Sequence, residues 1–311
     1  MTHSAYPQLE TAFTRLYRYQ HLAAIAGWDQ AAMMPSKGND ARAAAMAELQ
    51  VLMHHTLTDP ALRGLFDAAN SEALTPVQQA SLREMRREWQ NANLLPASLV
   101  EAKSLAGSRC EHAWRSQRKA NDWQGFLQNF REVVKLSREE AQYLSDATGV
   151  SRYDALMNLY EPGMDSAEVQ RIFDDVKSWL PGLIRDTMQK QAGEQVLQAQ
   201  GPFAIEAQRA LGIEVMGVLG FDFDAGRLDV SVHPFCGGVA EDVRITTRYR
   251  EDDFVQSLMG IVHETGHARY EQSLPRELAH LPVGHARSMG IHESQSLSFE
   301  MQLGRNPAFL Q

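Results

Sequence analysis

From Pro7 to about Trp28 the apolar residues Leu9, Phe13, Leu16, Tyr17, Leu22 and Ile25 recur mostly at spacings of three and four. This period limits the fold more than any other feature, because side chains so spaced share one stripe of an α-helix. The run from Met33 to Gly38, with Pro35 inside it, interrupts the pattern. The same period returns through Ala41 to His55, Thr75 to Asn93, Pro96 to Gln117, Asp122 to Asp146 and Ser166 to Gln191, with Pro or Gly between several segments. Residues 1–220 are therefore predicted to form a helical scaffold.

The texture changes after Gly220. Arg227 to Phe235 and Val243 to Tyr249 are short, alternating and rich in β-branched residues, with Gly237 and Gly238 between them. Two strands separated by a Gly-Gly turn are expected, in a small sheet or as a hairpin. Helix returns from Asp252 to about Leu274, where Asp252 and Asp253 suit the positive N-terminal end, and again from about Gly290 to Leu303. The expected fold class is mainly α: a multi-helix, zincin-like arrangement with a small sheet or hairpin beside one helix.

That helix carries His-Glu-Thr-Gly-His at 263–267. Residues four apart lie on one helical face, so His263 and His267 can direct their imidazoles at one ion while Glu264 projects beside them. Phe254, Leu258, Ile261 and Val262 supply the apolar stripe expected to fix the helix. The bland alternative is a pair of ordinary helix histidines.

A catalytic zinc takes three protein ligands and keeps one position open for water, so a third donor must lie outside the motif. Glu271, His280, His285, His292, Glu293 and Glu300 are the nearby candidates. Glu271 shares a face with His267 but sits a turn further from the ion. Glu293 lies on the next expected helix, which the segment with Pro275 and Pro282 allows to fold back antiparallel. On spacing alone, a solvated helix-start glutamate is an equal reading of Glu293.

His233-Pro234-Phe235, Asp242-Val-Arg-Ile-Thr246, HETGHARYEQ from His263 to Gln272 and GIHESQS from Gly290 to Ser296 occur in that order. WDQAAMMPSKG from Trp28 to Gly38 and YDALMNLYEPGM from Tyr153 to Met164 precede them. Together these stretches resemble the carboxypeptidase Taq family over nearly the whole chain. Arg269 and Ser298-Phe299 depart from its usual residues without touching a ligand position. The resemblance implies a metal-dependent carboxypeptidase, mainly α-helical and homodimeric, with His263, His267 and Glu293 as ligands of Zn2+, Co2+ being an alternative. It also implies a longer chain. One peptidase domain over 1–311 is expected, with strands and metal-binding helices in 221–311 and the family's C-terminal part missing.

In this reading Glu264 is the general base, and the substrates are peptides with a free C-terminus. His233, Arg244 and His292 are candidate substrate-binding residues. Arg244 could take the terminal carboxylate, or could simply pair with Asp242. Two alternatives remain: a truncated, inactive metal-binding homologue and an HExxH oligopeptidase.

A formal net charge of −9 opposes general affinity for nucleic acid. No signal-like or membrane-spanning apolar run is seen, and Cys110 and Cys236 lack disulfide or metal-knuckle spacing, so a soluble cytoplasmic protein is expected.

Overall fold

The computed structural model describes residues 4–195 and 199–310. Helices α1 (Ala5–Ala32), α2 (Asn39–Leu57), α3 (Ala61–Ala69) and α4 (Pro76–Asn93) open the chain, and α5 (Ala97–Lys119), α6 (Trp123–Thr148) and α7 (Arg152–Tyr160) follow. The apolar stripe of α1 is buried at Leu9, Phe13 and Leu16, where it meets Leu62 and Phe66 of α3 and Leu82 and Met85 of α4. Capping fixes the starts of several helices. Thr75 and Gln78 form a reciprocal capping box at α4, while the Asp122 and Ser151 side chains accept from Gly125 N and Asp154 N at α6 and α7. Helix α8 (Ser166–Gln191) has its N-cap in Asp165 and carries Pro181 in its interior.

Helix α9 (Ile205–Val218) leads into the sheet, built from β1 (Gly226–Val230), β2 (Cys236–Val239) and β3 (Asp242–Thr247) in the order β1-β3-β2. This corrects the expected hairpin between the two alternating segments. Those segments, β1 and β3, run parallel with Leu228 opposite Ile245, and β3 makes its hairpin with the intervening Cys236–Val239 segment. The Gly-Gly pair is part of that strand. Gly238 has φ +90° and its backbone lies so close to Asp242 O that a side chain would not fit, which sharpens the reversal into β3.

A second core joins sheet and helices. Leu228, Val243 and Ile245 pack with Met216 of α9 and with Ile261 and Ala268 of α10 (Phe254–Gln272). The expected N-terminal signal holds, since the Asp253 side chain accepts from Gln256 N at 3.1 Å. Helix α11 (Met289–Leu297) then packs on α10 and widens into a π-turn over Ser298–Leu303, where one continuous helix was expected. A last short helix, α12, spans Pro307–Leu310. Among the described residues no helix is long and apolar enough to cross a membrane.

Candidate metal centre

Helix α10 lies with one side on the sheet and another on α11. Ile261, Val262 and Ala268 are fully buried, which fixes its rotation and presents His263, Glu264 and His267 away from that core. Helix α11 comes unusually close: a Cβ on Gly266 would stand 2.6 Å from Ser296 Cα and 2.9 Å from Gln295 O. Residues 263, 266 and 271 of α10 meet residues 300, 296 and 292 respectively, so the two helices run antiparallel. The missing side chain at Gly266 is what lets Glu293 reach the histidines.

Glu293 Oε2 lies 3.3 Å from His267 Nε2, and its Oε1 lies 3.9 Å from His263 Nε2. The three donor atoms fall within 4.8 Å of one another. Metal bonds of about 2.1 Å at tetrahedral angles put neighbouring donors about 3.4 Å apart, so this spacing fits a small divalent ion.

Each imidazole is held from behind. His263 Nδ1 lies 3.0 Å from Glu300 Oε2, and Arg305 Nη2 donates to Glu300 Oε1 at 2.6 Å. His267 Nδ1 lies 2.6 Å from His292 Nδ1, and His292 Nε2 lies 2.7 Å from Glu271 Oε1. A carboxylate only accepts, so His292 Nε2–H donates to Glu271. His292 Nδ1 then accepts from His267 Nδ1–H. Both chains leave an Nε2 lone pair on the ligand side.

Burial, followed by the nearby His292 and His263, pushes His267 down to about 4, so its ring is neutral at pH 7. Glu264 is buried beside the cluster. That burial raises its carboxyl to about 7, opposed by His263 and reinforced by Glu293. Cys236 on β2 feels the same carboxylates: burial first, then Glu264 and Glu271, pushes its thiol well up.

The structure gathers His263, Glu264, His267, His292 and Glu293 into one constellation. Both ring nitrogens of His292 are engaged within the protein. Arg244 spends both arms of its guanidinium on Asp242, at 2.9 and 2.7 Å, and stacks 4.8 Å over Trp28. His233 is exposed, with Nδ1 2.8 Å from Pro234 O, and faces a separate groove. Sequence reasoning weighed Glu271 and Glu300 only as direct ligands and passed over Arg305. Their helical offsets, four residues beyond His267 and seven beyond Glu293, are the signal that could have placed them behind the histidines.

Residues 8–311 match the family described as Carboxypeptidase Taq (M32) metallopeptidase. The chain is 37% identical over 319 residues to Thermostable carboxypeptidase 1 of Thermus thermophilus, covering 96% of this chain and 62% of that protein. Among solved structures it is similar to Trypanosoma cruzi Metallocarboxypeptidase 1, with a TM-score of 0.88 and 49% identity over 98% of this chain and 62% of that one. It is also similar to the M32 carboxypeptidase of Deinococcus radiodurans R1, with a TM-score of 0.85 and 32% identity over 98% and 61%. The chain thus spans about three fifths of the length of these relatives. By the extent of the match and the likeness of fold, it belongs to the carboxypeptidase Taq (M32) metallopeptidase family.

Proposed function

We propose that the chain works as a metal-dependent carboxypeptidase, with His263, His267 and Glu293 holding a divalent ion, zinc first and cobalt as the alternative. The observation that carries this reading is the convergence of three donor atoms within 4.8 Å, beside a buried Glu264, on family-matched residues. Held by those residues, a divalent ion would supply Lewis-acid chemistry, making a water more acidic and polarising the substrate carbonyl. Glu264, poised near neutral pH, takes the proton of that water on its carboxylate and returns it to the leaving amine.

The remaining residues position the site. The chains Glu271–His292–His267 and Arg305–Glu300–His263 fix the tautomer and aim of each imidazole, which gives His292 a supporting place rather than one on the substrate. The Arg244 guanidinium is committed to Asp242, so a terminal carboxylate would have to displace that partner. Peptides with free C-termini are the proposed substrates, and a cytoplasmic homodimer the proposed setting.

The experiment compares wild type with Glu264→Gln on a peptide and its C-terminally amidated twin, with metal content measured on both proteins. The expected result is one bound divalent ion in each protein, cleavage of the free-ended peptide alone, and a loss of about 10²- to 10⁴-fold in Glu264→Gln. Cleavage of both peptides would make it an oligopeptidase. Because the chain spans about three fifths of its relatives, the second reading is a chain that holds the ion without turnover, shown by bound metal and no cleavage.

A further inference from the structure

A groove of about 730 Å³ opens where the C-terminal ends of α1 and α5 meet the segment after β1. Ala31, Ala32, Trp114, Val230 and Val232 give it an apolar lining. Arg115, Arg118, Lys119, Arg248 and His233 also line it, and among the described residues no acidic side chain does. In a chain with a net charge of −9, such a gathering runs against composition.

The bland account is that Arg118 and Lys119 lie in the last turn of α5, where cations suit the negative end of the helix dipole. That account does not reach Arg248, which follows β3, or His233, which follows β1. Nor are most of these charges neutralised in place. Arg115 pairs with Glu111 at 2.7 Å and Arg248 donates to Gln256 at 3.4 Å, while among the described residues neither Arg118 nor Lys119 has an ion-pair partner. Asp122, in the adjoining recess that shares Trp114 and Arg118, is occupied in accepting from Gly125 N.

The groove also stands in a definite relation to the metal centre. His233 and Cys236 are three residues apart, a span of at most about 10 Å. Cys236 opens β2, and β2 packs against α10, which carries His263, Glu264 and His267.

We propose that this groove binds acidic side chains of a peptide substrate some three or more residues before the scissile bond, with Arg118 and Lys119 as the principal cations. The proposal rests on the peptidase reading. Carboxylates suit guanidinium and ammonium donors, and the apolar lining suits an extended peptide rather than a bare anion. The overall negative charge keeps long polyanions away, so a short acidic stretch is favoured over nucleic acid. The cations then select among substrates through upstream charge and leave the chemistry to the metal centre.

The test is fluorescence anisotropy with the 1–311 chain and two labelled peptides of one sequence, carrying Glu or Gln at the third to fifth positions before the C-terminal bond. Binding is measured to Glu264→Gln, which prevents turnover, and to the same chain with Arg118→Glu and Lys119→Glu added. At low salt the Glu peptide should bind about fivefold more tightly than the Gln peptide. That preference should shrink with added salt and vanish in the charge-reversed protein, whose thermal melting should fall by only a few degrees, because both side chains are exposed and lose only their place at the end of the α5 dipole. Equal affinities, or a preference that survives charge reversal, would overturn the proposal. So would a single-stranded oligonucleotide that displaces the Glu peptide at lower concentration than unlabelled peptide does. Wild type without added substitutions separates the two readings: groove-dependent binding of a peptide that is never cleaved keeps the groove and sinks the peptidase. Cleavage indifferent to Glu or Gln, with equal binding, does the reverse.

Discussion

Helices α8 and α10 both carry large apolar side chains and meet opposite fates. In α10, Ile261, Val262, Thr265 and Ala268 are completely buried, pressed between the sheet and neighbouring helices. In α8 none of the 26 residues is buried, and Phe173, Trp179 and Met188 are 56%, 50% and 66% exposed. Amphipathic periodicity thus specifies a helix with an apolar face but says nothing about what that face meets. Helix α10 is locked in rotation by its neighbours, and only a locked helix can hold two imidazoles and a carboxylate to within fractions of an ångström. Helix α8 presents an apolar stripe of the kind that marks an interaction surface.

The contrast breaks most easily at Ile261. Ile261→Ala should remove about 2–5 kcal/mol of stability, because it opens a cavity where the sheet core meets α10. Chemical denaturation measures this directly. A change under about 1 kcal/mol would mean that α10 is not locked by that core. Gly266→Ala comes next. The added methyl meets Ser296 Cα and Gln295 O, so α11 must move outward, at about 1–3 kcal/mol, and Glu293 moves with it. The distinguishing readout is metal content, which should fall in Gly266→Ala by more than its stability loss explains. Retained stoichiometric metal would show that Glu293 does not depend on the close helix approach.

Much of this arrangement was legible in the sequence. The apolar period marked α1, α2, α4, α5, α6, α8 and α10, and the four-residue spacing placed His263 and His267 on one face. Most of the missed parts have physical reasons. Strand β2 is Cys-Gly-Gly-Val, and two glycines carry no side chains with which to alternate, so a strand was mistaken for a turn. Helix α7 has nine residues and only Ala155 buried, a weak period, whereas α3 repeats apolar residues at Leu62, Leu65, Phe66 and Ala69 in full helical spacing and was simply passed over. The supports behind the histidines share helical offsets with His267 and Glu293, but their contacts form only where α10 meets α11 and the π-turn that follows it. On spacing alone Glu293 remained one of six candidates, and the family resemblance singled it out.

Those supports supply the third test of a rigid site. Glu271→Gln removes the anion that accepts from His292 Nε2, which loosens the tautomer of His267 through the intervening ring. The expected loss is about 10- to 100-fold in metal affinity, measured by competition with a chromogenic chelator, with little change in fold stability. Glu271→Asp, which keeps the charge, should recover part of it. Unchanged affinity in both variants would mean that His267 is aimed by packing alone, with Tyr270, whose ring meets His292 edge-on at 5.1 Å, the remaining constraint.

The smallest effect should be on α8, and its smallness is informative. Because both side chains are at least half exposed among the described residues, replacing Phe173 and Trp179 by Ser removes little buried area, so unfolding free energy should change by no more than about 0.5 kcal/mol. That is several-fold less than the single truncation at Ile261. The same double variant should reduce any concentration-dependent association seen by light scattering, because it removes the two aromatic rings among the exposed apolar side chains of α8. A destabilisation of about 2 kcal/mol or more that grows with protein concentration would show that α8 is covered by a second chain in solution. The same loss independent of concentration would show that α8 folds back on its own chain. Either result would erase the contrast with α10, since the face exposed here would then be a core face like that of α10.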